Sequence, residues 1–331
     1  MKILLVSRFN EARFAHAALY QRALERLGAQ VTPFNLERTG WIDKLTRKDV
    51  TARLDQAIRH ADPTLVLLTD SEVLRAGSLE TLRRGSRARW VHWFPWHEHV
   101  NEDLLRSVGK PDIVFVAGAH RAAWLTEKSG RVVHTLDAAC DPSVHRPLRV
   151  REPFPANVVF AGTATPYREA VLAQLVEFGL ALWGPGWKKT SLREYCRGEL
   201  LSMDNYVRAY AGATIAINLH RNETGAEPGD ALNARLFEIA AIGVPQVIEP
   251  HVDLAGHFAP GVDVFAYHGL EELRAKVRQY LDEQHTRESM ASAARQAALQ
   301  RHTWMHRMKV LLDVTVSSPG PRVSGASRPA P

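Results

Sequence analysis

Glu238 is the one carboxylate in an otherwise apolar helical run, Asn233-Ala-Arg-Leu-Phe-Glu238-Ile-Ala-Ala-Ile-Gly243. A buried charge without a partner is costly, so this carboxylate needs one. Two partners suit it. Arg235 lies three residues back on the same helix face. The ribose hydroxyls of a nucleotide are the other, and the choice between them decides what the protein does. Gly243 supplies a helix C-terminus, and the apolar run after Pro245 reads as a short buried strand.

Three glycine-bearing segments offer anion chemistry. Val158-Val-Phe-Ala-Gly162-Thr-Ala-Thr-Pro-Tyr-Arg168 runs from a strand into a glycine and a helix opened by Pro166. Gly162 lets a ligand approach the backbone, and Arg168 in the first turn suits a phosphate. A plain strand-to-helix turn with a surface arginine fits the same residues. Gly184-Pro-Gly186-Trp187-Lys188-Lys189 could stack a base on Trp187 and neutralise a diphosphate with Lys188 or Lys189. It reads equally as a tight turn with a partly buried tryptophan and solvated lysines. The third segment, from His220 and Arg221 through Gly225 and Gly229 to Asp230, precedes the Glu238 helix and has the make-up of a phosphate cradle. Asp230 suits a helix N-cap as well as a reactive carboxylate.

A fourth segment, Trp90-Val-His92-Trp93-Phe-Pro-Trp96-His97-Glu98-His99, is rich in aromatics and imidazoles. Its histidine spacing matches no compact zinc motif. No recognisable single-strand nucleic-acid fold pattern surrounds it. His97 or His99 suits a general base for a hydroxyl, and a simply packed interdomain loop is the competing account.

The elements that must position these residues alternate. Strands are expected at 2–7, 30–34, 64–68, 89–94, 112–116 and 132–136, with helices such as 14–27 and 50–58 between them. A proline-rich stretch with several arginines follows, and alternation restarts with strands at 157–161, 180–183, 214–219, 246–248 and 262–267. Helices are expected at 167–178 and 205–211, and from 270 almost to 316. Strand–helix alternation of this kind predicts two parallel, doubly wound sheets. Ligands of such sheets bind beyond the carboxyl ends of the strands, so a cleft between two such halves is expected to hold the site. The domains predicted are 1–145 and 157–316, joined by a linker at 146–156, with a disordered Ser/Pro/Gly-rich tail at 317–331.

The composition fits folded cores, at 331 residues and 45% hydrophobic. The net charge of +6 falls within the first 150 residues, and the remainder is balanced. A solvated arginine-rich surface accounts for it, with an anionic partner as the alternative. Two cysteines make no disulfide framework, and no apolar run is long enough for a signal peptide or a membrane span. A cytoplasmic location is therefore expected.

The ordered set Val159-Phe-Ala-Gly162 with Arg168, Trp183-Gly-Pro-Gly-Trp187, Ile215-Ala-Ile-Asn218-Leu-His220-Arg221, Leu232-Asn233-Ala-Arg235-Leu-Phe237-Glu238, Gly269-Leu-Glu-Glu-Leu273 and His302-Thr-Trp304-Met-His-Arg307 resembles the C-terminal domain of CgeB-like (spore maturation protein type) glycosyltransferases. It covers most of residues 157–310. Pro63 to Asp70 and Ala138-Ala-Cys-Asp141-Pro resemble that family's N-terminal domain more loosely. The resemblance implies GT-B architecture, with two Rossmann-like domains, an interdomain cleft and a helical C-terminus. It implies a nucleoside diphosphate sugar on the second domain and an unknown acceptor on the first, with no cofactor, metal or nucleic acid. It assigns Glu238 to the ribose and the loop before its helix to the diphosphate. Many retaining relatives carry two glutamates with seven residues between them. Asp230 stands at the outer position here, which leaves the stereochemical outcome open. Relatives of this kind also carry an aspartate where this chain has Trp96-His97-Glu98.

The activity expected is transfer of a hexose or N-acetylhexosamine. A catalytically inactive nucleotide-sugar-binding or coat/polysaccharide interaction module is the rival, and a nucleotide-sugar epimerase a more distant one. The last helix is expected to bend near His302-Thr-Trp304 and return to the first domain, as in other GT-B folds.

Overall fold

The structure is a computed structural model that describes residues 1–9, 16–37, 50–69, 74, 76–95, 111–199, 202–220 and 231–318. Its first sheet contains β1 (Lys2–Ser7), β2 (Gln30–Asn35), β3 (Leu65–Leu68), β4 (Arg89–Phe94), β5 (Ile113–Val116) and β6 (His134–Thr135), in the order β2-β1-β3-β4-β5-β6. Helices α1 (Ala17–Arg26), α2 (Val50–Ala61), α3 (Ala76–Arg84) and α4 (Ala119–Ser129) connect them. The second sheet contains β7 (Ala156–Ala161), β8 (Leu180–Trp183), β9 (Cys196–Gly198), β10 (Ala213–Asn218), β11 (Gln246–Ile248) and β12 (Phe265–Ala266), in the order β12-β11-β10-β7-β8-β9. Its helices are α5 (Pro166–Ala173), α6 (Met203–Ala211) and α7 (Ala234–Ile242). The strand pairings are parallel throughout both sheets. Apolar runs such as Leu65–Leu68 and Ile113–Val116 are buried on both faces, as helix-covered parallel strands must be.

The second sheet is the doubly wound order in which the chain leaves β7 in one direction and returns to β10 on its other side. The crevice of such a sheet opens where those two strands diverge. β7 and β10 pair from Ala156↔Ala213 to Val159↔Ala216, so Gly162 and Leu219 leave the sheet side by side. β8 sits on the other flank of β7 and β11 on the other flank of β10. The Gly184 segment crosses very close to Gly162. A Cβ on Gly184 would lie 2.4 Å from the Gly162 carbonyl oxygen, and its φ is +123°. Only glycine fits there.

The expected helix from 270 to 316 is three helices: α8 (Leu270–Asp282), α9 (Gln284–Arg301) and α10 (Trp304–Ser317). Glu283 breaks the first pair, and His302 with the N-cap Thr303 breaks the second. α9 packs on α7 in the second domain, while α10 packs on α1 in the first. Trp304 meets Tyr20 edge-on at 4.7 Å between ring centres and Trp93 at 5.8 Å. Arg307 Nε donates to Asp137 O at 3.1 Å, and Arg89 donates to Thr315 O. The chain therefore returns to the first domain at the expected bend. The expected helix 167–178 is shorter, ending as α5 at Ala173 with a 3₁₀ turn at Val176–Phe178. β9 lies in a stretch without strand patterning in the sequence.

Candidate active site

The carboxyl ends of β7, β10 and β11 gather the polar residues of the second domain. Thr165 caps α5 by accepting from Arg168 N, and the Arg168 guanidinium donates to Thr163 O at 3.0 Å. Arg168 is buried, with its guanidinium carbon 5.5 Å from the centre of the Phe160 ring. Arg235 approaches the same ring at 5.1 Å, from the first turn of α7. Two guanidinium groups thus gather at one aromatic ring, which attracts each of them through its quadrupole. α7 is otherwise buried along its length, with Arg235 the exception.

α7 begins at Ala234 because Asn233 caps it, accepting from Leu236 N at 3.2 Å. The cap is therefore Asn233 and not Asp230, and the helix opens three residues beyond Ala231. Asn233 Nδ2 also donates to Asn218 Oδ1 at 2.8 Å and to His220 Nδ1 at 2.9 Å. Burial holds the His220 imidazole well below its ordinary pKa, so it stays neutral and can accept that bond.

Glu238 is 1% exposed, and its protein partners are not the expected Arg235. His16 Nε2 donates to Oε1 at 2.8 Å, and Tyr206 Oη donates to Oε2 at 2.6 Å. His145 Nε2 lies 3.7 Å from Oε1. Arg235 turns instead to the Phe160 ring and the Leu219 carbonyl, 3.4 Å away. The salt bridge to Arg235 is thus replaced by a bond across the domains, since His16 opens α1. Burial pushes the Glu238 carboxyl up, but His145, His16 and Tyr206 together hold it below its ordinary value, so it is ionised. His16, His145 and Tyr206 were missed by sequence reasoning. His145 lies three residues beyond the Ala138–Pro142 segment, a faint signal; His16 and Tyr206 carried none.

Trp187 is wholly buried, and its indole N–H donates to Gly162 O at 2.8 Å. Its ring sits edge-on to Phe160 at 5.9 Å, so it braces the Phe160 platform from within the core and has no face for a base. The expectation of stacking gives way to packing. Lys188 and Lys189 are exposed on a 3₁₀ turn, and Lys188 pairs with Glu199 at 3.3 Å. Gly162 and Gly184 form the close crossing already described. His97, His99, Arg221, Gly229 and Asp230 lie outside the described residues. The strand before the histidine-bearing segment is core: Trp90, Trp93 and Phe94 are buried, and Trp93 Nε1 donates to Leu136 O at 2.9 Å.

Two further contacts join the domains. His257 Nε2 lies 3.3 Å from Asp137 Oδ2, and His120 Nδ1 lies 3.3 Å from Asp253 Oδ1. Among the described residues no group of three or more His, Cys, Asp or Glu could hold a metal ion. No helix among them is long and apolar enough to cross a membrane.

Two doubly wound domains facing each other, with a helix returning from the second to the first, are the architecture of GT-B glycosyltransferases. Residues 168–313 match a protein family described as glycosyl transferase-like. The chain is similar in fold to Anabaena Alr3699/HepE, a structure holding UDP and glucose, with a TM-score of 0.69, 14% identity, and coverage of 96% of this chain and 100% of that one. It is similar to sucrose-phosphate synthase (tll1590) from Thermosynechococcus elongatus, with a TM-score of 0.70, 12% identity, and coverage of 96% and 100%. A glycosyltransferase from Rickettsia africae gives a TM-score of 0.68, 11% identity, and coverage of 95% and 98%. At such identities the likeness speaks for the fold. A comparison with curated proteins gave no match. Residues 168–313 thus match a glycosyl transferase-like family within a chain of GT-B fold.

Proposed function

We propose that this protein transfers a hexose or N-acetylhexosamine from a nucleoside diphosphate sugar to an acceptor hydroxyl, without a metal ion. The observation that carries this is the pair of guanidinium groups at the Phe160 ring, in the crevice between β7 and β10. Like charges gathered in a partly buried crevice suit an anion between them, and a diphosphate accepts bidentate hydrogen bonds from arginine. When the bond from the anomeric carbon to the diphosphate breaks, its electron pair goes to the diphosphate. Arg168 and Arg235 would stabilise the growing charge. The acceptor oxygen bonds the anomeric carbon and gives its proton to a base, for which His97 and His99 are the candidates. Lys188 and Lys189, on the exposed turn beside the crevice, supply further positive charge. The ordered motifs favour the CgeB-like subtype, with a cytoplasmic setting.

Glu238 remains the proposed ribose carboxylate. At 1% exposure it reaches a ribose only if the His16 contact gives way. His16→Ala should then tighten donor binding, while Glu238→Gln weakens it by about 1–3 kcal/mol, the range of a charge-assisted hydrogen bond. Loss of stability in both variants with unchanged donor affinity would make Glu238 an interdomain anchor instead. That same sealed carboxylate is what favours the alternative of a catalytically inactive binding module. Donor hydrolysis separates the two, because a competent site leaks sugar to water and a binding module leaves the donor intact. A nucleotide-sugar epimerase would be recognised by its product.

The central test is calorimetric titration with UDP, GDP, ADP and dTDP. Arg168→Ala and Arg235→Ala should each weaken the nucleotide that binds by about 10- to 100-fold, as loss of one charge-assisted bond of about 1.5–3 kcal/mol implies. Unchanged affinity in both variants would remove the site from this crevice.

A further inference from the structure

We propose that Glu249 is a positioning residue that aligns the two arginine-bearing arms of the crevice. This rests on the donor site proposed above. Glu249 is the first residue beyond β11 and is 4% exposed. One of its carboxylate oxygens accepts from the Tyr167 hydroxyl. The other accepts from the His220 backbone N–H at 2.5 Å. Tyr167 is the neighbour of Arg168 in the first turn of α5. His220 closes the exit of β10 and meets Asn233, the cap of the helix that carries Arg235.

A single buried carboxylate therefore ties the Arg168 arm to the Arg235 arm across the point where β7 and β10 diverge. The bonds continue inward. Asn233 donates to Asn218, Asn218 Nδ2 donates to Gln246 Oε1 at 3.1 Å, and Gln246 Nε2 donates to the Leu236 carbonyl at 2.8 Å. The Arg235 end is thus held to the body of the sheet at two levels, and Glu249 brings the Arg168 end into the same frame. The chemistry selects a carboxylate. Tyr167 Oη and His220 N, two partners of the carboxylate among the described residues, are both donors, and an amide would offer one acceptor oxygen and turn an N–H₂ group against the other donor. A carboxylate has the wrong charge to touch a diphosphate. Its effect on an anion must therefore pass through the groups it holds, Tyr167 and His220 among them. A misplacement on the order of 1 Å in such a frame can cost about 100-fold where charge develops.

The test is a set of variants in the full chain: Glu249→Gln, Tyr167→Phe, Arg168→Ala, and the double variant Glu249→Gln/Arg168→Ala. UDP and UDP-glucose are the probes, read by calorimetry and by hydrolysis of UDP-glucose, with thermal unfolding recorded for each. Glu249→Gln should weaken UDP at least 10-fold, and Tyr167→Phe about 3-fold. In the Arg168→Ala background, Glu249→Gln should weaken UDP at most 3-fold, because the arm it aligns is already gone. Hydrolysis should lose more in kcat than in KM. A merely structural role would lower the unfolding temperature and give losses that multiply fully in the double variant. That pattern, or UDP affinity within 2-fold of wild type in Glu249→Gln, overturns the proposal while leaving the donor site standing. If the wild-type chain binds UDP but Arg168→Ala does not weaken it, the donor-site assignment has failed first, and the proposal falls with it. A wild-type chain that binds neither probe overturns both.

Discussion

Glu238 shows what one buried carboxylate demands. Its charge is met by His16 from the first domain, by Tyr206, and at longer range by His145. Its pKa is held below the ordinary value of 4.5, so its contribution to stability is present above that value and lost as pH falls through the lower folded one. His145 acts in the same direction. Burial holds its imidazole below 6.5, and stability falls as the unfolded chain takes up that proton. Glu238→Gln should cost about 1–3 kcal/mol at pH 7. Its denaturation midpoint should fall less steeply than that of wild type as pH falls below 4.5, where the unfolded carboxyl takes up a proton before the folded one does. Urea titrations at a series of pH values check this, and parallel curves for the two proteins would show that Glu238 carries no such linkage.

At the scale of elements, α7 is where the sheet, the arginine pair and the domain contact meet. Its register is set by Asn233, whose side chain caps the helix and donates to both Asn218 and His220. Asn233→Ala would remove a cap, at about 1 kcal/mol, and leave two buried acceptors without that donor. We expect a total loss of about 2–3 kcal/mol and a weaker nucleotide affinity, because Arg235 would lose its anchor. Asn233→Ser, which still caps but cannot donate to both acceptors, should recover roughly the capping part alone. Equal losses for Ser and Ala, measured by urea denaturation, would locate the effect in the Asn218 and His220 bonds. The exit of β10 was legible as a strand end, but its role as a junction was not. That role depends on Gln246 and Glu249, which arrive from β11 about thirty residues later.

For the whole molecule, α10 decides whether the two domains behave as one. Trp304 is buried against Tyr20 and Trp93 of the first domain, while α9 just before it packs on α7 of the second. One continuous apolar cluster includes Leu5, Trp93, Phe237 and Trp304. Wild type should therefore unfold in a single calorimetric transition. Trp304→Ala should cost about 3–5 kcal/mol, the range for a fully buried aromatic, and split the transition as the domains uncouple. A single transition at nearly the wild-type temperature would show that the cleft contacts alone couple the domains.

Local pattern determined much of this protein by itself. Apolar runs and glycine stops placed nearly all the strands, because parallel strands buried on both faces leave a continuous apolar trace. The strand–helix alternation carried the two doubly wound sheets, and with them the crevice between β7 and β10 where Gly162, Arg168, Asn233 and Arg235 lie. The bend at His302-Thr303 was expected from the family resemblance, because the last helix of a GT-B fold commonly returns to the first domain. Only the tertiary structure decided what each polar side chain meets. A helix-spacing rule offered Arg235 to Glu238, but the donors are His16 and Tyr206, with His145 3.7 Å away, and the farthest of them lies 222 residues away in the chain. Trp187 could be read as a stacking surface or a core residue, and its burial under Gly162 settled that. Periodicity reports which face of an element is buried; it carries no information about which distant donor is carried to which acceptor when two sheets and a returning helix close on one another.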